Sequence, residues 1–172
     1  YKGYYHLYYQ TMPFSQDWGD MYWGHARSVD LVHWELMPIA LFPEAHDPSS
    51  LLGVSGDGYM WSGSSFVYHK GDSKDIDNLN YFPNGNGDGL IAFYTRDGTL
   101  GGQVQVLMTS DDEGLTWTKR KVVPRNLITD NVSGINSLSS RDPKVFPIKK
   151  ENNKTTMWGM IISNMEDNQV YL

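Results

Sequence analysis

Glycine and proline recur along the whole chain and divide it into short segments. The sequence has 17 Gly and 8 Pro residues among its 172. The longest runs without either residue, such as 25–37, are shorter than the ~20 apolar residues that a membrane-spanning helix needs. Glycine weakens long helices through its backbone entropy, and proline removes a hydrogen-bond donor. This punctuation therefore argues against a transmembrane helix and a helical bundle.

The segments between these residues have the composition of β-strands. The sequence contains 6 Trp, 11 Tyr and 6 Phe residues, and aromatic side chains favour pleated strands. The segments end at turn signals such as Asn84-Gly85 and Asp97-Gly98. No stretch shows a sustained 3.6-residue period. The sequence therefore predicts an all-β protein with strands in the segments 4–10, 64–69, 90–95, 103–108, 144–146 and 157–163.

Charge and composition exclude several classes of function. The net charge of −6 disfavours a nucleic-acid partner or an anionic membrane surface. The absence of cysteine excludes disulfides, zinc ribbons and thiol nucleophiles. The five histidines form neither a His-x-His nor a His-Glu-x-x-His pair, and no Gly-x-Ser-x-Gly elbow is present. We therefore expect no metal, no cofactor and no serine nucleophile.

A recurrence links two parts of the chain. The segments 26–34 and 109–117 both run from a serine through a short polar turn to a tryptophan, Trp34 or Trp117. The second copy spells Ser-x-Asp-x-Gly-x-Thr-Trp, a hairpin known as an Asp-box from sialidase-type propellers. In that hairpin the Ser and Asp side chains bond the turn backbone. We interpret the recurrence as a structural corner, repeated in two blades of a propeller.

The segment 71–89 is polar and rich in Asp, Asn and Gly. We interpret it as an insertion between two strands of one blade. Its end partly resembles a calcium-binding loop, but Thr95 stands where that loop has its bidentate glutamate. The segment also lacks the following helix that a dinucleotide-binding loop requires. A flexible surface loop is the interpretation that the residues favour.

Aromatic rings beside carboxylates, Arg and Gln suit a carbohydrate ligand. Sugar rings pack C–H faces on aromatic rings, and sugar hydroxyls bond to Asp, Gln and Arg side chains. The most suggestive group is Arg141-Asp142-Pro143, in which the proline favours an extended Asp142 and the arginine favours an ionised carboxylate. The residues alone leave two interpretations open, a structural ion pair at the start of a strand and a catalytic group.

An ordered set of motifs resembles glycoside hydrolase family 32, which contains invertases, levanases, inulinases and sucrose-6-phosphate hydrolases. The motifs follow the family order across nearly the whole chain, with Trp61 where the family more often has Phe. They are His6-Leu7-Tyr8-Tyr9-Gln10, Trp18-Gly19, Tyr22-Trp23-Gly24-His25-Ala26, Asp30-Leu31-Val32-His33-Trp34, Pro38-Ile39-Ala40-Leu41, Trp61-Ser62-Gly63-Ser64 and Arg141-Asp142-Pro143-Lys144-Val145-Phe146.

The resemblance implies a fold and a reaction. The family fold is a five-bladed β-propeller, and residues 1–172 would form about three of its blades. The reaction is retaining hydrolysis of a terminal β-fructofuranoside, which needs a carboxylate nucleophile and a carboxylic acid/base. By resemblance, Asp142 stabilises the transition state and Arg141 orients it and binds the sugar. The resemblance places four further residues in the fructosyl pocket: Gln10, Trp18, Trp61 and Ser62.

The two central carboxylates of the family are expected outside this chain. The nucleophile belongs to an Asn-Asp-Pro-Asn-Gly segment before Tyr1, and the acid/base belongs to a Glu-Cys-type motif after Leu172. The chain starts without Met inside a strand pattern, so we interpret it as a piece of a longer protein. Two alternatives stay open at this stage: a sialidase-like Asp-box propeller, which would need an arginine cluster, and a non-catalytic carbohydrate-binding propeller.

The place where the protein works follows from its substrate. Polymeric fructans require a secreted or cell-surface enzyme, whereas sucrose-6-phosphate requires a cytoplasmic one. Two sequons, at Asn131 and Asn153, are compatible with secretion. We expect a secreted or cell-surface hydrolase of sucrose or fructan, with the cytoplasmic alternative reserved for a sucrose-6-phosphate hydrolase.

Residues 1–172 alone should be catalytically inactive, because they would lack both the nucleophile and the acid/base. The isolated piece should also aggregate or stay partly molten, since an open propeller exposes strand edges and aromatic side chains. The measurements are an assay of fructose release from sucrose and inulin and a thermal melt. Measurable fructose release, or a sharp cooperative melt of a monomer, would contradict these two expectations.

Overall fold

The described part of the chain forms three antiparallel β-sheets, in agreement with the all-β composition. The computed structural model describes residues 1–17, 19, 21–43, 59–97, 103–123, 140–149, 155–164 and 169–171. Each sheet takes its strands from one continuous part of the chain, and neighbouring strands in a sheet are consecutive in sequence. This is the meander order in which short turns join sequential strands.

Ten strands and one short helix make up the described part of the chain. The first sheet contains β1 (Tyr5–Thr11), β2 (Tyr22–Ser28) and β3 (Glu35–Leu41). The second contains β4 (Tyr59–Tyr68), β5 (Gly89–Asp97), β6 (Val104–Ser110) and β7 (Thr118–Val123). The third contains β8 (Ser140–Lys149), β9 (Thr155–Asn164) and β10 (Gln169–Tyr171). The strand prediction is confirmed in all six segments, although β2, β3, β7 and β10 were not predicted as separate strands.

The segment 71–89 connects β4 to β5, so the predicted insertion between two strands of one sheet is confirmed. It contains a helix that the sequence interpretation missed, α1 (Lys74–Leu79). The side chain of Ser73 caps this helix by accepting a hydrogen bond from the Ile76 N–H. Six residues are too few to show a helical period, which explains the miss. In the described ranges, no helix has the length and apolar character needed to cross a membrane.

Aromatic and aliphatic side chains fill the spaces between the sheets. Phe66 of the second sheet stacks on Trp158 of the third, with ring centroids 4.2 Å apart. Trp23 of the first sheet meets Tyr94 of the second edge to face, at 6.3 Å. Rings in these arrangements bury large apolar areas and prefer such offset or edge contacts. The buried cluster between the first two sheets consists of Trp23, Ala40, Leu41, Met60, Ala92, Tyr94, Val106 and Met108.

The predicted Asp-box in the turn between β6 and β7 is confirmed. Asp112 accepts hydrogen bonds from the Ser110 hydroxyl at 2.8 Å, the Thr116 N–H at 2.9 Å and the Thr116 hydroxyl at 2.6 Å. The Trp117 indole donates to the Gly114 carbonyl at 3.1 Å. Burial raises the pKa of Asp112, but the bonds from Thr116 and Ser110 outweigh it, so the pKa lies below its usual value.

The turn between β2 and β3 is built in the same way. Asp30 accepts from the Ser28 hydroxyl and from the N–H groups of Val32 and His33, and the Trp34 indole donates to the Leu31 carbonyl. The side-chain bond to His33 and these N–H groups lower the pKa of Asp30. The recurrence in the sequence therefore marks the same corner in two consecutive sheets, as predicted.

A pair of contacting histidines, His6 and His25, joins β1 and β2 in the first sheet. His25 of β2 is fully buried, and its Nε2 is 2.9 Å from Nδ1 of His6 on β1. The ring of Tyr8 stacks on His25 with centroids 4.6 Å apart. Burial is the main cause that lowers the pKa of His25 to about 4, and His6 and Arg27 lower it further. His25 is therefore neutral in the folded protein at pH 6.

Through the titration of His25, the free energy of unfolding should decrease as the pH falls from about 6.5 to about 4. In that window the unfolded chain binds a proton at this histidine and the folded chain does not, so the free energy of unfolding decreases by up to about 1.4 kcal/mol per pH unit. The measurement is the Tm of the whole polypeptide and of its His25→Gln variant at a series of pH values. The parent should have the higher Tm near neutral pH, and the difference in Tm should become smaller towards pH 4. A difference independent of pH would show that this prediction is wrong.

Candidate functional site

Two β-bulges position the predicted site residues. Between the pairs Met60–Arg96 and Gly63–Tyr94, the chain advances three positions along β4 but two along β5. Between the pairs Arg141–Ser163 and Lys144–Ile161, it advances three positions along β8 but two along β9. Each bulge therefore inserts one residue within a predicted motif, 61–62 or 142–143. Bulges bend a strand and re-aim its side chains, which is why they are frequent beside active sites.

Asp142 does not adopt the extended conformation predicted from the proline that follows it. Its φ is +60°, in the left-handed region. The bulge is the physical reason, because the extra residue must turn the backbone out of the strand geometry. Aspartate tolerates this region better than most residues do. Pro143 is fully buried within the bulge, and since proline has no N–H, it leaves no backbone donor unpaired there.

Three contacts join five of the six predicted site residues. Ser62 donates a hydrogen bond to Oε1 of Gln10 at 3.3 Å. The guanidinium of Arg141 lies over the ring of Trp61, 5.7 Å from its centroid, and Nε of Arg141 is 3.8 Å from Oδ2 of Asp142. Because Trp61 and Ser62 are consecutive, the contacts join the first, second and third sheets. The sixth residue, Trp18, lies outside the described residues.

A cleft of about 440 Å³ opens between β1 and β4. Gln10 and Ser62 line it, together with Lys144 from β8. Its volume falls in the range of small-molecule sites. The side chain of Asp142 is half exposed, at 49%, so its carboxylate is open to a ligand. An ammonium, an amide and a hydroxyl therefore line one cleft, and the accessible carboxylate of Asp142 belongs to the same strand as Lys144, two positions before it.

These groups suit a sugar better than a metal ion. Carboxylate and amide oxygens accept hydrogen bonds from hydroxyls, the guanidinium donates to them, and the ring of Trp61 offers an apolar face. In the part of the chain that the structure describes, no cluster of three His, Cys, Asp or Glu residues could hold a metal ion. The geometry therefore favours recognition of a polyhydroxylated ligand.

Sequence reasoning missed the residues that support the Arg141-Asp142 bulge from the second sheet. The N–H of Asp142 donates to Oγ1 of Thr95 at 3.0 Å, and the N–H of Val145 donates to Oγ of Ser64 at 3.0 Å. Thr95 and Ser64 are both buried. The available signal was a polar residue in an otherwise apolar strand, since Thr95 follows the run 90–94.

Comparison with known families settles the family of this chain. A model described as the N-terminal domain of glycosyl hydrolases family 32 matches residues 1–172. The chain belongs to glycosyl hydrolase family 32. The family resemblance inferred from the motifs is confirmed, and the three sheets are blades of the family's β-propeller fold.

Relatives in family 32 act on different fructosides, as their names indicate. A levanase of Bacillus subtilis is 38% identical over 166 residues, which cover 95% of this chain and 20% of the levanase. A sucrose-6-phosphate hydrolase of Zymomonas mobilis is 33% identical over 169 residues, 98% of this chain and 27% of that protein. The chain therefore spans between a fifth and about a quarter of the length of these relatives.

A solved family 32 structure has the same fold over nearly all of this chain. It is a fructofuranosidase from Schwanniomyces occidentalis complexed with fructosylnystose. Its TM-score is 0.64 at 31% identity, over 94% of this chain and 27% of that chain. A fold shared at this identity supports the same order of blades in both proteins.

Gly63→Ala should destabilise this family 32 domain. A Cβ at Gly63 would overlap the carbonyl oxygen of Phe93 on β5, and the backbone of β4 would have to move beside Trp61 and Ser62. We expect the free energy of unfolding to fall by about 1–3 kcal/mol, the usual cost of overpacking. The measurement is chemical denaturation of the whole polypeptide.

Gly19→Ala is the matched control for that substitution. The nearest atom to its added Cβ would be the Asp17 carbonyl oxygen at 3.9 Å, an ordinary contact. The free energy of unfolding of this variant should stay close to that of the parent. If Gly63→Ala were as stable as Gly19→Ala, the close contact between β5 and Gly63 would not be the reason that glycine occupies this position.

Proposed function

We propose that the polypeptide carrying this chain is a retaining β-fructofuranosidase that hydrolyses terminal fructosyl units of sucrose or fructans. The observation that carries the proposal is the group formed by Asp142, Arg141 and Trp61 beside the cleft of Gln10 and Ser62. Membership of family 32 and the names of the relatives support this reaction and this substrate class.

In this proposal Asp142 is the transition-state stabiliser. The reaction passes through an oxocarbenium-like transition state, in which hydrogen bonds from ring hydroxyls to a carboxylate strengthen as positive charge develops. Arg141 orients the carboxylate through the contact of its Nε with Oδ2 and binds the sugar. Gln10, Trp61 and Ser62 hold the fructosyl unit, and Trp18 is assigned to the same pocket.

We further propose that residues 1–172 are part of a larger propeller domain of five blades. One face of the edge strand β1 supports this, because Tyr5, Leu7 and Tyr9 are 53%, 46% and 39% exposed on it. A row of large side chains along one face is typical of a sheet that packs on another sheet. The nucleophilic Asp and the acid/base Glu are assigned to parts of the polypeptide outside this chain.

The relatives support two cellular settings. A levanase acts on a polymer, which requires a secreted or cell-surface enzyme, whereas a sucrose-6-phosphate hydrolase acts on a phosphorylated sugar that is kept inside the cell. We propose the secreted or cell-surface setting, with a fructosyl substrate as the partner. The two candidate sequons, at Asn131 and Asn153, lie outside the described residues.

Asp142→Asn tests the proposed function in the whole polypeptide. The amide is nearly isosteric but uncharged, so it should lower kcat by about 10²- to 10³-fold, the scale of losing one electrostatic contact to a transition state. KM for sucrose should change much less, because the lost interaction strengthens in the transition state. The measurement is the steady-state rate of fructose release from sucrose, levan and inulin.

Asp75→Asn is the matched control, since Asp75 is an exposed residue of α1 in the insertion 71–89. This variant should keep the parent kcat. Equal losses in kcat and in substrate affinity for Asp142→Asn would indicate a simple binding residue instead. An unchanged kcat for Asp142→Asn would refute the proposed function of this site.

A further inference from the structure

The bulge that carries Asp142 is tied to the second sheet through two buried side chains. Oγ1 of Thr95 accepts a hydrogen bond from the Asp142 N–H at 3.0 Å and donates one to Oε1 of Gln105 at 2.9 Å. Nε2 of Gln105 donates to the Ser140 carbonyl at 2.9 Å. A continuous chain of hydrogen bonds therefore connects Asp142 to Ser140 through Thr95 and Gln105.

These hydrogen bonds hold the backbone on both sides of Arg141, where β8 enters the bulge at 142–143. The backbone oxygen of Ser140 lies on one side of Arg141, and the backbone nitrogen of Asp142 lies on the other. Thr95 and Gln105 are direct partners in the pairing of β5 with β6, so both sides are fixed to one rigid pair of strands. Both side chains are completely buried, at 0% exposure, and hydrogen bonds in such surroundings are stronger than in water.

The conformation of Asp142 requires support of this kind. A non-glycine residue with φ of +60° costs free energy and persists only where the surrounding structure over-determines it. The N–H of Asp142 has been turned out of the strand pairing by the bulge, and Thr95 supplies the acceptor that it then needs. Removing that acceptor would free the backbone to return towards extended geometry, which would turn the carboxylate away.

We propose that Thr95 and Gln105 are positioning residues, which set the direction of the Asp142 carboxylate from inside the neighbouring blade. They touch no substrate and act on the reaction through Asp142. This inference rests on the proposed function, in which Asp142 stabilises the transition state. It adds that the chemistry at one blade depends on two buried polar side chains of the preceding blade.

Thr95→Val is the main test, carried out in the whole polypeptide. Valine keeps the shape and burial of threonine but neither donates nor accepts. We expect kcat for sucrose to fall between about 10-fold and 100-fold, the scale reported for a misplacement of about 1 Å, with a much smaller change in KM. Thr95→Ser retains the hydroxyl and should restore most of the lost kcat.

A double variant separates positioning from general support of the fold. In the Asp142→Asn background, Thr95→Val should cause little further loss of kcat, because the carboxylate through which Thr95 acts is already absent. Thr109→Val is the matched control: Thr109 is also buried, and its Oγ1 accepts a bond from Arg120 at 2.7 Å, away from the bulge. It should keep the parent kcat even if its Tm falls.

The outcomes distinguish this inference from the proposed function. If Asp142→Asn lowers kcat while Thr95→Val behaves like Thr109→Val, the positioning role is wrong and the proposed function stands. Additive losses in the double variant would also overturn the positioning role. If Asp142→Asn leaves kcat unchanged, the proposed function itself fails.

Gln105→Met keeps the test decisive if Thr95→Val does not fold. Methionine has similar length, but it removes the acceptor for the Thr95 hydroxyl and the donor to the Ser140 carbonyl. We expect kcat to fall by a smaller factor than in Thr95→Val, again with KM nearly unchanged. A Gln105→Met enzyme with the parent kcat would overturn the inference.

Discussion

The site depends on one constraint, which is that backbone groups released by a bulge must find new hydrogen-bond partners. The bulges at 61–62 and 142–143 take residues out of the regular ladders. Around the bulge at 142–143 the partners come from the neighbouring blade, where buried Thr95, Gln105 and Ser64 accept or donate. Thr95 and Gln105 are fully buried and Ser64 is 8% exposed, so these hydrogen bonds are stronger than they would be in water.

In the three described blades, the turns, the bulges and the contacts between the sheets contain different kinds of residues. The Asp-box corners between β2 and β3 and between β6 and β7 close the turns with aspartate and tryptophan. The bulges near the starts of β4 and β8 carry the residues that we propose to act on the sugar. Between them, stacked and edge-to-face rings such as Phe66 with Trp158 hold the sheets together. A rigid frame of this kind can keep a few polar side chains in fixed directions.

Much of the fold could be predicted from the sequence, whereas the geometry of the site could not. Alternating and aromatic runs identified six strands, because residues that suit pleated surfaces are local signals. Helix α1 was missed, since six residues show no period. The extended conformation predicted for Asp142 was wrong, because the preference imposed by Pro143 is weaker than the bulge that the pairing of β8 with β9 imposes. The contact between Gln10 and Ser62 spans 52 positions, and no local pattern encodes it.

The abundance of glycine and proline, the aromatic runs and the ordered motifs by themselves indicated an all-β chain of family 32, and the motifs named the residues that we propose to bind the sugar. These are properties of residue type and spacing, which a sequence contains in full. Only the tertiary structure decided that Asp142 sits in left-handed geometry and that Thr95 and Gln105 support it from another blade. The physical reason is that a bulge and its partners arise from pairing between strands distant in sequence, so their energies belong to the assembled sheets and to no single segment.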